Sequence, residues 1–544
     1  MLLSKNYGTE GNTFLVTSGL GFIGSALCLE LVWQGVSQMR AFDLRPTSPW
    51  SDDLSNLRVH FIQGPSSFVA LEEVVNKVLS EPIRPHFAIA NVIGSGVDLS
   101  ERLNFLAAKL GSKTPIIVSC ASGIMGRDAV TDEHKEVMMD DFWGDGESNS
   151  DFGIILTVGF LPGLRVDAIP LVRPRKAHRV AIIDHFVMNI RDYASSVSGS
   201  TSPLAIMMFG GEDADLKPVM EKLDHAMPRE TIIVGDERAR FLYRSGIESR
   251  YIYGSGGYFS DAVALVFARD QYRNCAGAGQ IQFHAVLSTG VSAVGPRYKA
   301  VSVKEIGFGT GRNTWLTARR EGEQEILDGQ RILDDVNNEF VIYDAESLCM
   351  DVQQLANNVG CPDLYIGVTE QRRCFVGSEK SRMMTFLVFH GVMGGDQEYL
   401  FANGVGIRTG DYFQFYHSDP STALSSCSNV SKYFRNLKLD WSSRKCCHAG
   451  SVADNDGNKE VVGGFVFSCC GRGESFFGHC NVDSSPFLDN FPGVPMAGIF
   501  CGGEIGRGFS KADEGEEDGT LRCCLHAYST VYLLVSYTPA PPEH

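Results

Sequence analysis

The run Gly463–Gly506, GGFVFSCCGRGESFFGHCNVDSSPFLDNFPGVPMAGIFCGGEIG, decides how the chain is read. An apolar segment from Gly464 to Cys470 stops at Gly471-Arg472-Gly473. A second, from Ala497 to Cys501, stops at Gly502-Gly503-Glu504-Ile505-Gly506. Short apolar runs bounded by glycine are consistent with buried strands that each close on a tight turn. Glycine permits positive φ there and lets another group approach the backbone. Arg472 and Glu504 then stand at strand ends, where loops commonly carry function.

Outward from this run, strand, glycine turn and helix alternate. The pattern predicts a helix over Ser67–Ser80, a strand over His86–Ile93 entering Gly94-Ser95-Gly96, a helix over Leu99–Leu110 and a strand over Pro115–Ser119. Further strands are predicted at Gly153–Val158, Pro203–Met208 and Gln280–Leu287, with helices at Ala181–Ala194 and Asp213–Ala226. Beyond them, Asn338–Asp344 reads as a strand leading into a helix over Ala345–Asn358. Thr385–His390 and Asp411–Phe415 read as strands, Thr422–Leu437 as a helix, Trp441–Glu460 as a loop and Leu521–Ser536 as a last strand. The acidic, weakly periodic stretch Val130–Phe152 reads as a long loop. Such alternation implies an α/β fold.

Near the N-terminus, Thr13–Val16 is a short strand, followed by a glycine turn, an amphipathic segment and a second strand ending at Asp43. That is the opening of a βαβ unit. Glycines in such a turn let the backbone reach a pyrophosphate, the helix N-terminus supplies N–H donors, and the acidic residue can hold ribose hydroxyls.

Two resemblances follow from these residues. The Cys469-Cys470-Gly471-Arg472-Gly473 turn and the Gly498, Ile499, Gly503-Glu504-Ile505-Gly506 ending resemble the C-terminal half of the FIST family, most nearly the plant F-box proteins with a FIST domain. The resemblance covers about residues 67–536. It implies an intracellular ligand-sensing or signal-transduction domain, which in F-box relatives recruits substrate proteins to a ubiquitin ligase. It implies a small-molecule ligand or substrate protein held by Cys470, Gly471, Arg472, Gly503 and Glu504. No F-box-like leucine-rich segment is visible ahead of this region, which weakens the case for docking to a Skp1-type adaptor. The second resemblance is carried by Thr17-Ser18-Gly19-Leu20-Gly21-Phe22-Ile23-Gly24. It is similar to the TGGxGFIG turn of extended short-chain dehydrogenases, in particular plant 3β-hydroxysteroid dehydrogenase/decarboxylases. This implies NAD held by Gly19, Gly21, Gly24 and Asp43. Ser18 replaces the first glycine, no Tyr-x-x-x-Lys pair occurs anywhere, and the similarity stops after Gly64. The expected fold is therefore α/β: a Rossmann-like βαβ fragment (1–66), then two mixed α/β FIST halves (67–305, with the acidic loop 130–152, and 306–544). A binding protein without a catalytic set or cofactor is expected, with an NAD-dependent oxidoreductase as the alternative.

Composition sets the outer bounds. The 544 residues, 44% hydrophobic and 21% charged, suit a globular protein of several domains. A formal net charge of −17 disfavours sequence-independent nucleic-acid binding. No apolar run is long enough to cross a bilayer, and MLLSKNYGTEGN lacks the apolar core of a signal peptide. Fifteen cysteines without an export signal point to free thiols in the cytoplasm or nucleus. The doublets Cys446-Cys447, Cys469-Cys470 and Cys523-Cys524 suit one buried and one exposed thiol each rather than a metal, because neighbours in a strand face opposite ways. Asp454-Asn455-Asp456-Gly457 reads as a turn. Cys470, two residues from Arg472, reads either as a thiol activated by a nearby cation or as a small core residue beside a surface arginine. Glu504 reads either as a ligand-binding carboxylate or as the cap of a turn.

Overall fold

The computed structural model describes residues 13–17, 38–42, 57–63, 67–80, 83, 85–94, 97–111, 113–139, 153–173, 179–212, 214–246, 259–271, 279–308, 311–347, 363–447, 459–507 and 521–539. Three helix-covered sheets turn their inner faces onto one shared apolar core. The first has five strands in the order Phe241–Arg244, Ile116–Cys120, Phe87–Ile93, Gly153–Gly159 and Leu57–Gln63. The second has six: Gln280–Ser288, Thr530–Thr538, Glu460–Cys469, Met496–Cys501, Gly123–Arg127 and His134–Met138. The third also has six: Leu525–His526, Glu504–Gly506, Ile232–Asp236, Ala205–Gly210, Phe259–Arg269 and Leu164–Arg173. Phe87 and Ile117 from the first, Phe467 and Leu533 from the second, and Met207 and Val234 from the third meet in that core.

The outer faces are closed by helices. Ser67–Val78 and Leu99–Leu110 cover the first sheet. Pro420–Cys447 and Ser485–Asn490 cover the second. Arg179–Ser198 and Lys217–Ala226 cover the third. Burial on both faces explains why FAIANVI is apolar throughout rather than alternating: all seven of its residues are buried.

The fourth large sheet is a barrel. Leu364–Cys374, Tyr412–Ser418, Val291–Phe308, Gly311–Arg320, Leu400–Asn403 and Arg382–Gly395 pair antiparallel in that order, and the last pairs back with the first. Closure removes the edges. Ile332 and Val336, one helical turn apart, pack into the barrel core with Leu316, Ile366 and Phe415. They belong to the helix Gly329–Ser347. This corrects the strand expected over Asn338–Asp344. His134–Met138 is likewise a strand, within the stretch expected to be a loop, and the helix Pro420–Cys447 runs into the expected loop from Trp441 and takes in Cys446-Cys447.

The division expected at 305/306 falls inside the strand Val291–Phe308. The two halves interleave: Met496–Cys501 pairs with Gly123–Arg127, Glu504–Gly506 with Ile232–Asp236, and Thr530–Thr538 with Gln280–Ser288. Thr13–Thr17 and Gln38–Phe42 pair parallel, as a βαβ opening requires. The next strand, Leu57–Gln63, instead pairs antiparallel with Gly153–Gly159 at the edge of the first sheet. The opening segment thus feeds the larger fold.

Candidate functional site

Gly502-Gly503 carries the chain from the second sheet into the third. A β-carbon on Gly503 would lie 2.5 Å from the Glu237 carboxylate, and one on Gly502 would lie 3.0 Å from the Arg238 carbonyl. The Glu237 N–H donates to the Gly503 carbonyl at 2.8 Å. The backbone is therefore closely packed where the two sheets meet. Glu504-Ile505-Gly506, expected to be part of a turn, is a short strand held antiparallel to Ile232–Asp236.

In that register Glu504 stands directly opposite Asp236. Residues opposite one another share a face, with β-carbons about 5 Å apart. Their face looks toward the second sheet, as Val234 in the shared core and Gly506 against Val531 show. Both side chains are essentially inaccessible. Glu504 Oε2 accepts from the Ser529 hydroxyl at 2.8 Å and from its N–H at 3.2 Å. Asp236 Oδ1 accepts from the Arg238 N–H at 3.0 Å. Glu504 Oε1 and Asp236 Oδ2 have no well-formed partner. Burial pushes Asp236 up to about 7 and Glu504 well above the usual carboxylate range.

The carboxyls lie beside the C-terminal ends of the parallel strands Glu460–Cys469 and Met496–Cys501, the kind of end where open α/β sheets bind ligands. Cys501 is buried close to both. Cys469 is half-buried and neighbours both Glu504 and Cys470. Cys470 is exposed just past the strand end, its N–H donating to the Cys501 carbonyl at 2.8 Å. Its thiol is drawn down to about 7, first by the neighbouring Cys469 thiol and then by its own N–H and Ser122. Arg472 is not among the groups that act on it. Tyr528 and Tyr365 stand edge to face, ring centres 6.2 Å apart, and the Tyr528 hydroxyl donates to the exposed Asp363 carboxylate. Gly471 lies flat on the Tyr528 ring, where a β-carbon would come within 2.7 Å.

Arg472 is turned into the core, which corrects the expected Arg472/Glu504 pair lining one pocket. Its guanidinium is fully buried. It donates to Asp483 through Nε (2.9 and 3.1 Å) and Nη2 (2.6 Å). Nη1 donates to the Tyr528 carbonyl at 2.9 Å, and Nη2 also points at Ser288 and Cys427, each 3.4 Å away. Asp483 in turn accepts from Ser468 at 2.7 Å. The arginine thereby joins the strand Gln280–Ser288, the helix Pro420–Cys447, the Tyr528 turn and, through Asp483, the strand Glu460–Cys469. It holds Tyr528 at φ +47°, an uncommon conformation for a bulky residue. Gly473, at φ +106°, begins the short helix Glu474–Phe477.

The structure therefore brings Cys470, Gly471, Gly503 and Glu504 to one place and sends Arg472 into the core behind them. Asp236, Cys469, Tyr528 and Ser529 were not expected there. The signal for Asp236 was a carboxylate closing the buried run Ile232–Asp236. Gly19, Gly21, Gly24 and Asp43 lie outside the described residues, as do 454–457. Among the described residues no group of three or more His, Cys, Asp or Glu could hold a metal ion, and no helix is long and apolar enough to cross a membrane.

Residues 366–507 match the FIST C domain family. That span holds Cys469 to Gly473 and Gly502 to Gly506. Residues 15–81 match the 3-beta hydroxysteroid dehydrogenase/isomerase family, so this similarity runs past Gly64 into the helix Ser67–Val78. An F-box/LRR-repeat protein of Arabidopsis thaliana is 41% identical over 483 residues, which is 88% of this chain and 85% of that protein. An uncharacterized protein of Mycobacterium tuberculosis is 49% identical over 45 residues, 8% of this chain and 12% of its own.

Proposed function

Because the chain belongs to the FIST-domain family that takes in this plant F-box/LRR-repeat protein, we propose that it is a receptor that holds a small molecule, or a group on a substrate protein, at the strand ends around Glu504. One observation carries the reading: Asp236 and Glu504 face each other in register, each buried and each with an oxygen lacking a well-formed partner. Burial already disfavours the charged form of both carboxyls, and orphaned buried oxygens cost about 1–3 kcal/mol each. A ligand that hydrogen-bonds both free oxygens relieves both costs. Cys470, Gly471 and Gly503 frame the entrance, and Arg472 fixes the Tyr528 turn from behind.

In this reading the protein is not an enzyme and works in the cytoplasm or nucleus. Its F-box relative suggests recruitment of proteins to a Skp1-containing ubiquitin ligase. Native mass spectrometry of the purified chain, with thermal-shift titration of a panel of amine- and hydroxyl-bearing metabolites, tests ligand binding. A bound species or saturable shift lost in Asp236→Asn/Glu504→Gln is expected; no shift across the panel and no bound species would overturn the reading. Pull-down with Skp1 tests the ligase role separately.

A second reading is favoured by the match over residues 15–81 and the parallel pair Thr13–Thr17 and Gln38–Phe42: NAD binding by the opening segment. Calorimetric titration with NAD, repeated on Gly21→Asp, decides it.

A further inference from the structure

We propose that the cleft between the C-terminal end of the helix Lys217–Ala226 and the barrel is a second binding site, one that takes a phosphate monoester with an organic body. The cleft has a volume of about 710 Å³, within the ordinary range for small-molecule sites. One wall is the run Asp224–Arg229, which ends the helix and leads toward the third sheet. The other is Arg382 and Met384 at the start of the barrel strand Arg382–Gly395, with Arg522 beside them. Arg522 belongs to Leu521–Arg522, a two-residue strand paired parallel with Thr385 and Phe386. The cleft shares no residue with the strand ends around Glu504.

The charge of this cleft is one-sided. Among the described residues Arg229, Arg382 and Arg522 line it with a single carboxylate, Asp224. That carboxylate is buried and already engaged: Oδ2 pairs with Arg522 and Oδ1 with Arg507, each at 2.7 Å. The end of a helix ordinarily disfavours anions, because its last carbonyls carry negative partial charge. Here those carbonyls are occupied. Arg507 donates to the carbonyls of Asp224, Met227 and Pro228, and Arg191 to that of Ala226. Exposed Arg229 makes no ion pair among the described residues. Burial holds the His225 imidazole below its ordinary value; Glu379 opposes this, and the charges of Arg191 and Arg382 add to it. A neutral ring supplies a hydrogen-bonding group to the same wall. Guanidinium forks match phosphate oxygens, and a dianion with three acceptor oxygens meets this lining better than a lone carboxylate would. Buried Met227 and Met384, which also line the cleft, offer adaptable apolar surface to the organic body.

Calorimetric titration of the full chain tests this with two sources of the same group: AMP, a free phosphomonoester, and a phosphoserine peptide, one carried by a protein. Adenosine and the unphosphorylated peptide are the controls. Saturable binding of at least one phosphorylated probe and of neither control is expected, and the probe that binds identifies the source. Arg229→Ala and Arg382→Ala should each weaken that binding about tenfold or more, as loss of a charge-assisted contact does. Arg382→Lys should keep part of it, because the charge stays and the fork is lost. Both side chains are exposed, so the variants should unfold in urea at the midpoint of the parent. No binding of either phosphorylated probe, equal binding of the controls, or binding unchanged in either alanine variant would overturn the proposal. Asp236→Asn/Glu504→Gln should bind these probes as the parent does, so this inference and the receptor reading fail separately.

Discussion

Replacing Asp236 with asparagine should make the protein more stable at pH 8 and leave it nearly unchanged at pH 4. The substitution keeps the shape and the oxygen that accepts from the Arg238 N–H at 3.0 Å. It removes a carboxyl that burial raises from 3.8 to about 7. Between those values the folded state holds a proton that the unfolded chain has released, so stability falls as pH rises. Three units at about 1.4 kcal/mol each give a loss of about 4 kcal/mol, fully present above pH 7. Glu504, Glu136 and Glu221 are raised by the same cause and tilt both proteins alike, so the difference between parent and variant isolates Asp236. Urea unfolding at pH 4, 5.5, 7 and 8 measures it. A gap that opens between pH 4 and 7 and then levels is expected. A gap independent of pH, or a parent more stable than the variant at pH 8, would refute an uncompensated buried carboxyl.

Other outcomes follow from the same geometry. Arg472→Met should cost about 3–5 kcal/mol in chemical denaturation by stranding the buried Asp483 carboxylate, and Arg472→Met/Asp483→Leu should recover most of it; a double variant as unstable as the sum of the singles would count against the pair. Lys217→Met should cost about 1–3 kcal/mol and loosen the helix Lys217–Ala226 from the barrel, because Lys217 reaches Glu370 at 2.6 Å while Arg372 still neutralises that carboxylate at 2.7 Å; hydrogen exchange on the two elements reads the effect. A fragment of residues 366–507, the span of the FIST C match, should fail to unfold cooperatively, since Met496–Cys501 and Glu504–Gly506 lose the partners Gly123–Arg127 and Ile232–Asp236; circular dichroism with urea checks this.

Much of the α/β layer was legible because its strands are covered on both faces. Phe87–Ile93 and Ile116–Cys120 are continuous apolar runs for that reason, and Leu99–Leu110 carries a regular apolar stripe behind Asp98, which caps it by accepting from the Ser100 N–H at 2.8 Å. The strand expected over Asn338–Asp344 failed because a run of β-branched and aromatic residues outweighed a start signal further upstream. Asp328 accepts from the Arg331 N–H at 2.9 Å, and Ile332 and Val336 lie one turn apart beyond it. His134–Met138 was missed because a half-buried edge strand carries no apolar run. Barrel closure could not be read: alternation along Leu364–Cys374 gives the inward face but not the partner that completes the ring.

The site shows the same division. Glycines mark where the backbone is crowded: Gly471 packs against Tyr528 and Gly503 against Glu237. They do not say which side chains converge there. Asp236 meets Glu504 only because a short strand after Gly502-Gly503 crosses into another sheet and pairs with a segment far earlier in the chain. Arg472 reads from its neighbours as a surface residue at a loop. It turns inward because Asp483, on the connection back to Met496–Cys501, supplies a buried countercharge, and Ser288 and Cys427 come from two further elements. The geometry of the candidate site is therefore a property of how the two halves interleave. The segment with the recognisable motif contributes Cys469, Cys470 and Glu504, while Asp236 comes from before it and Tyr528 and Ser529 from after it. A change that separates the sheets without touching any of these residues should undo the site as completely as removing Glu504.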